Sequence, residues 1–210
     1  MLKKQFKFTF TSLLLLCLGL SQATAVPIQL GQAAFNSAVS GLSPITEDFE
    51  GVPDTFSGTT LDFANGSFSS QSGDVRVFAS STFCGSSTDK CLFTASISGE
   101  RSIFDLLPLG ATYWGADIFQ LNSLDNMQVT VTGGSGTQIF SSTGLGFWGF
   151  HDALGISSVT FENLGTGSGF SNYSFDDITT AGSAMVPEPL TLILMFMGLV
   201  GLGAQRRRLG

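Results

Sequence analysis

MQVTVTGGSGTQIFS, residues 127–141, reads as a β-hairpin. Met127, Val129 and Val131 fall on one face and Gln128, Thr130 and Thr132 on the other, the period-2 alternation of a half-buried strand. Gly133, Gly134, Ser135 and Gly136 then turn the chain into a second strand over Gln138–Ser141. The same signature recurs on both sides of it. Short aromatic or β-branched runs separated by Gly and Ser occupy Thr46–Glu50, with Phe49 inward, and Thr59–Ala64, with Leu61 and Phe63 on one face. Asp74–Ala79 sets Val75, Val77 and Ala79 against Arg76 and Phe78. Leu92–Ile97, Thr112–Phe119, Phe147–Phe150, Ser158–Phe161 and Tyr173–Thr179 complete the set. Helical hints are confined to Ala33–Val39 and Leu121–Asn126. The expectation is an all-β domain over residues 26–185, a two-sheet antiparallel sandwich of jelly-roll, lectin-like type.

The two ends are built differently. Lys3, Lys4 and Lys7, an apolar run over Leu13–Leu20 and the small residues Ala23, Thr24 and Ala25 form a secretory signal peptide over residues 1–25. Cys17 lies within that apolar run and leaves with it. At the other end Val186, Pro187, Glu188 and Pro189 precede an apolar stretch over Leu190–Ala204, and Arg206, Arg207 and Arg208 follow. This order predicts a transmembrane helix with its arginines held on the cytoplasmic side. Fifteen residues at ~1.5 Å each span ~22 Å, less than the ~30 Å hydrocarbon core, so the anchor is marginal.

This tail, residues 186–210, resembles the PEP-CTERM sorting signal of Gram-negative bacteria in Pro187-Glu188-Pro189, the short apolar helix and the basic terminus. The resemblance implies transient residence in the inner membrane, cleavage near the tripeptide by an exosortase, and association with extracellular polysaccharide or biofilm. The second half of the domain is similar to other PEP-CTERM ectodomains. Its aromatic-Gly-aromatic strand lies at Phe147–Phe150, its I-x-x-V-x-F strand at Ile156–Phe161, and its closing segment at Phe175-Asp176-Asp177-Ile178. The opening ITEDFEG, residues 45–51, fits as well. In related lectin-like sandwiches an opening acid and a closing Asp hold a structural calcium ion. That implies a site from Asp48 or Glu50 with Asp176 or Asp177.

Charge sorts the functions. Six of the nine basic residues lie in the two tails, leaving Arg76, Lys90 and Arg101 against fifteen acids in residues 26–185, a net of 3 − 15 = −12. Such a domain repels phosphate backbones, which argues against nucleic-acid binding. Adjacent Asp176 and Asp177 point to opposite faces of a regular strand, so one turns inward unless the strand is bulged. An inward acid needs a metal, an Arg or backbone donors.

Cys84 and Cys91 are the only cysteines left after signal cleavage and predict a local disulfide in an oxidising compartment. Their spacing is not that of a CxxC redox pair, and two thiols with one distant His do not make a zinc site. Tyr113, Trp114 and Trp148 are candidates for stacking on sugar rings, against packing in the core. His151 is the single histidine, followed by Asp152, and reads as a loop residue. No G-x-S-x-G elbow is present, and Ser87-Thr88-Asp89-Lys90 matches S-x-x-K inside the disulfide loop by chance. Gly165–Gly169 is glycine-rich but lacks the lysine of a phosphate loop. The sequence therefore favours a non-enzymatic surface or matrix protein. A calcium-dependent carbohydrate-binding module is the alternative, and a hydrolase a distant third.

Overall fold

The structure, a computed structural model, describes residues 26–182 apart from 55, 65, 72, 81, 85, 97, 107–110, 121–126, 143–145 and 166–170. The signal peptide, the Leu121–Asn126 helical hint and the whole sorting tail lie outside the described residues. The elements are β1 (Ile28–Leu30), α1 (Gln32–Val39), β2 (Ile45–Glu47), β3 (Ser57–Gly58), β4 (Thr60–Phe63), β5 (Gly66–Ser70) and β6 (Val75–Ser80). They continue as β7 (Ser86–Ser96), β8 (Arg101–Leu106), β9 (Ala111–Gln120), β10 (Met127–Gly133), β11 (Gly136–Ser142), β12 (Gly146–Asn163) and β13 (Ser171–Ala181).

The all-β expectation holds, but two separate sheets do not form. One antiparallel sheet runs in the order β3-β6-β7-β13-β9-β12-β8-β5-β4, with β1, β2, β10 and β11 added at its sides. Its two outermost strands, β3 and β4, are separated in the chain by Thr59 alone. The Thr59 carbonyl accepts a hydrogen bond from Ser70 N at 3.1 Å, so the sheet comes close to closing on itself as a barrel.

β12 makes this possible. Its first part, Gly146–His151, pairs with β9, and Gly149–His151 also pairs with β1. Its second part pairs with β8 over Ser158–Glu162 and with β10 over Ile156–Asn163. Local pattern predicts two strands here, Phe147–Phe150 and Ser158–Phe161, with His151 in a loop. The break is instead a bend inside one strand, at Gly155, whose φ of +91° few other residues adopt. One strand thus serves two layers.

The layers face each other across aromatic rings. Phe68, Phe104 and Phe161 meet Trp114 and Phe175, with ring centroids 5.2 Å apart for Phe104–Trp114, 4.9 Å for Phe104–Phe175 and 4.8 Å for Phe161–Phe175. All five are fully buried. Such tilted and edge-on pairs contribute ~0.5–1.5 kcal/mol each beyond the area they remove from water. The hairpin forms as read, with Val129 opposite Phe140 and Gly133 opposite Gly136. Phe49 is buried as expected, but from a turn with φ +59° rather than from a strand. Ala79, expected beside Val75 and Val77, is exposed near the register shift that ends the β6–β7 ladder.

α1 is a small cover on the outside of the β9–β12 pair. Phe35 inserts over Gly115 and Gly149, which face each other in register. A Cβ on either glycine would stand 2.7–2.8 Å from the Phe35 and Phe147 rings, so the helix can sit this close only over bare backbone.

Candidate functional site

The outer face of the β7–β13–β9–β12 layer divides into three zones. At one side the segment before β7 folds back, tied by the Cys84–Cys91 disulfide with its Cα atoms 5.4 Å apart. It lays Phe83 on Phe78 and Phe93, with centroids 5.5 and 5.2 Å away. The Ser174 hydroxyl, from β13, bonds to the Phe83 carbonyl beneath this cover. At the other side lies α1. Between them runs an acidic strip.

Alternation along β9 builds the strip. Trp114, Ala116 and Ile118 point into the core, which sends Tyr113, Asp117 and Phe119 outward. Asp117 lies directly opposite Asp176 on β13. The next residues of β13 break the alternation. Register slips between Asp176 and Thr179, and Asp177 takes φ +49°. This bulge inserts one residue, so Phe175 and Ile178 are both fully buried although three apart. Asp176 is half-buried and Asp177 exposed. The question of which acid turns inward is resolved by the bulge: neither enters the core.

Two carboxyls facing each other across a ladder repel when ionised. Burial, above all, pushes the Asp176 pKa up from 3.8 to about 7. The negative charges of Asp177, Asp89 and Asp117 add to the rise, and the Asp177 N–H, donating to Asp176 Oδ1 at 2.8 Å, works against it. Burial and then Asp177 raise Asp117 as well. The three cations of the domain are engaged with other acids. Arg76 pairs with Asp74 at 2.6 Å, Lys90 with Asp54 at 2.9 Å and Arg101 with Glu162 at 2.9 Å.

The four acids nominated for calcium do not form one set of ligands. Asp48 Oδ1 accepts from Glu50 N at 3.1 Å, and Glu50 Oε1 accepts from Lys90 N at 2.7 Å. The Lys90 ammonium caps the same turn by donating to the Glu50 and Val52 carbonyls at 3.0 and 2.8 Å. Asp176 and Asp177 belong instead with Asp117 and Asp89. Among the described residues no three acidic, His or Cys side chains gather as metal ligands.

The nominated aromatics separate in the same way. Trp114 and Trp148 are core residues, with 0% and 4% of their surface exposed, and neither offers a platform to a sugar. Adjacent strand positions point to opposite faces, so Tyr113 is on the outside. Its half-buried ring stacks on His151, with centroids 4.4 Å apart and planes 27° from parallel.

His151 and Asp152 also point apart. Asp152 is buried at the β12 bend, where it accepts from Ser135 N at 3.1 Å, from the Ser135 hydroxyl and from Leu154 N at 2.8 Å. It ties the tip of the β10–β11 hairpin to the bend. Sequence reasoning missed this role and missed Asp117. Alternation places Asp117 on the outer face, but the Asp176 opposite it is a long-range pairing that no local pattern announces.

No protein-family profile matches the chain, and no curated protein matches it by sequence. Among solved structures, the K2 cleaved adhesin domain of Lys-gingipain is similar over 67% of this chain and 98% of that one, at 15% identity and a TM-score of 0.40. A structure of the M60 catalytic domain with the CBM51-1 and CBM51-2 domains of Clostridium perfringens ZmpB is similar at 14% identity and a TM-score of 0.32. That match covers 65% of this chain and 15% of that one.

Proposed function

We propose that the chain is an exported structural or interaction protein of the cell surface or extracellular matrix. It is held briefly in the inner membrane by residues 190–204 and released by exosortase cleavage at the Pro187-Glu188-Pro189 motif. One observation carries the reading: a disulfide-bonded domain of net charge −12 lies between two apolar ends that hold six of the chain's nine cations. The basic residues stay on the cytoplasmic side during export, and the disulfide suits the oxidising side. Extracellular polysaccharide is the partner this reading assigns to the released domain.

Mass spectrometry of the protein recovered outside the cell tests it. The expected N-terminus is Val26 and the expected C-terminus falls near Pro187. An extracellular form that still ends at Gly210 overturns the processing step.

The second reading is a calcium-dependent carbohydrate-binding module. What supports it is the Asp117–Asp176 pair, which no cation of the domain neutralises, on the same face as the partly open Tyr113 ring. A glycan array read with and without chelator separates the two. Chelator-sensitive glycan binding favours the module, and absence of binding favours the structural role.

A further inference from the structure

The register places both exits of the domain at one end. Ile28 of β1 lies opposite His151, His151 opposite Tyr113, and Tyr113 opposite Ala181, the last residue of β13. Three strand spacings of ~4.8 Å put Ile28 and Ala181 ~14 Å apart. The tether toward the membrane segment therefore leaves beside the start of the mature chain.

That end differs chemically from the rest of the domain. Six large apolar side chains are substantially exposed among the described residues, and four of them are here: Val26, Ile28, Leu42 and Ile45, each 42–51% exposed. Ile45 pairs with Thr180, and a side chain at Gly182 would touch Leu42. Segments 26–46, 111–116 and 179–182 at this end contain no Asp, Glu, Lys or Arg; Glu47, opposite Ile178, and the buried Asp152, next to His151, border them. An uncharged apolar end on a domain of −12 is a surface that an anionic bilayer does not repel.

The tether decides which end can reach the membrane. Residues 183–189 extend at most ~25 Å. The eleven residues of β13 span ten steps from Ala181 back to Ser171 at the opposite end, at most ~33 Å at ~3.3 Å per step. An inverted domain would need its tethered end ~33 Å above the bilayer, beyond the reach of the tether.

We propose that Val26, Ile28, Leu42 and Ile45 form a bilayer-facing platform. It rests on the phospholipid surface while the chain is anchored and turns the opposite end, with Ser98 and Leu164, outward. The inference depends on the anchoring reading above. The test uses the full chain in cells lacking exosortase, with Leu42→Cys or Ser98→Cys reacted on spheroplasts with a bulky membrane-impermeant maleimide. The native disulfide leaves no competing thiol in the mature domain. Labelling at position 42 should be several-fold slower than at 98, and detergent should equalise the two. Adding Ile28→Glu and Ile45→Glu to the Leu42→Cys chain should abolish the protection.

Equal rates in a membrane-bound chain overturn the platform and leave the anchor standing. Protection that survives detergent also overturns it, because another copy of the chain then covers the patch. Recovery of the chain in the soluble fraction overturns the anchor and the platform together.

Discussion

Asp152 and Asp176 lie on the two strands that flank β9, and both are withdrawn from water, but the fold treats them in opposite ways. Asp152 is surrounded by donors: two N–H groups and a hydroxyl converge on its oxygens. Asp176 has one local N–H and three acids in its neighbourhood. The first arrangement fixes the corner at which one sheet becomes two layers. The second leaves a place on the surface where the structure works against itself. In this domain a buried acid with donors is structural, and an acid facing acids is where a cation or a proton would be welcome.

The largest effect should come from removing the satisfied acid. Asp152→Ala strands three buried or half-buried donors and frees the hairpin tip from the bend. Stability should fall by ~3 kcal/mol, read as a shift of the urea midpoint. An unchanged midpoint would erase the distinction between the two acids. Gly133→Ala attacks the same corner from the other side. Its Cβ would stand 2.3 Å from Asp152 Oδ2 and 2.4 Å from the Gly155 carbonyl, and backbone cannot yield cheaply. A loss of ~2 kcal/mol is expected. Gly41→Ala, which opens onto empty space, serves as the control and should change stability by less than ~0.5 kcal/mol.

How much of this was legible depends on the range of the interaction that decides it. The β10–β11 hairpin was readable because alternation and a Gly-rich turn are local. β5, with Phe68 among serines, and β8, with Arg101 and Asp105 near its ends and Ser102 buried beside Phe104, carry no such pattern. They are strands because their neighbours hold them. β12 reads as two strands because His151, Asp152 and Gly155 look like a loop until the hairpin tip supplies the donors for Asp152. The disulfide was readable from cysteine count alone. At the acidic strip, Asp176 and Asp177 could be flagged as an awkward pair. Their Asp117 partner and the bulge that relieves them depend on β9, more than fifty residues earlier.

Asp176→Asn sharpens the comparison in the favourable direction. The pKa of Asp176 is raised in the folded state, so between about pH 4 and pH 7 the folded chain holds more protons than the unfolded one. Its contribution to stability is greatest below 3.8 and is lost as pH rises through about 7. The amide cannot ionise. Asp176→Asn should therefore be more stable than the natural chain at pH 8, by ~1 kcal/mol once solvent screening of this half-buried site is allowed for, and nearly equal to it at pH 4. Melting curves at the two pH values measure this. A gain that is the same at both would assign the effect to something other than charge.

The smallest expected effect bears on calcium. At pH 8 the strip is most negative, and any cation relieves it by screening. A specific calcium site would add stabilisation beyond screening, because a ligand that binds only the folded state shifts unfolding by mass action. The described acids do not converge on one point in numbers that calcium requires. Calcium should accordingly raise the melting temperature at pH 8 no more than sodium chloride of equal ionic strength. Both effects should shrink in Asp176→Asn and fade at pH 5, where protons already neutralise Asp176. A calcium-specific increase, abolished by chelator and by Asp176→Asn, would make the strip a metal centre after all and move the carbohydrate-binding reading ahead of the structural one.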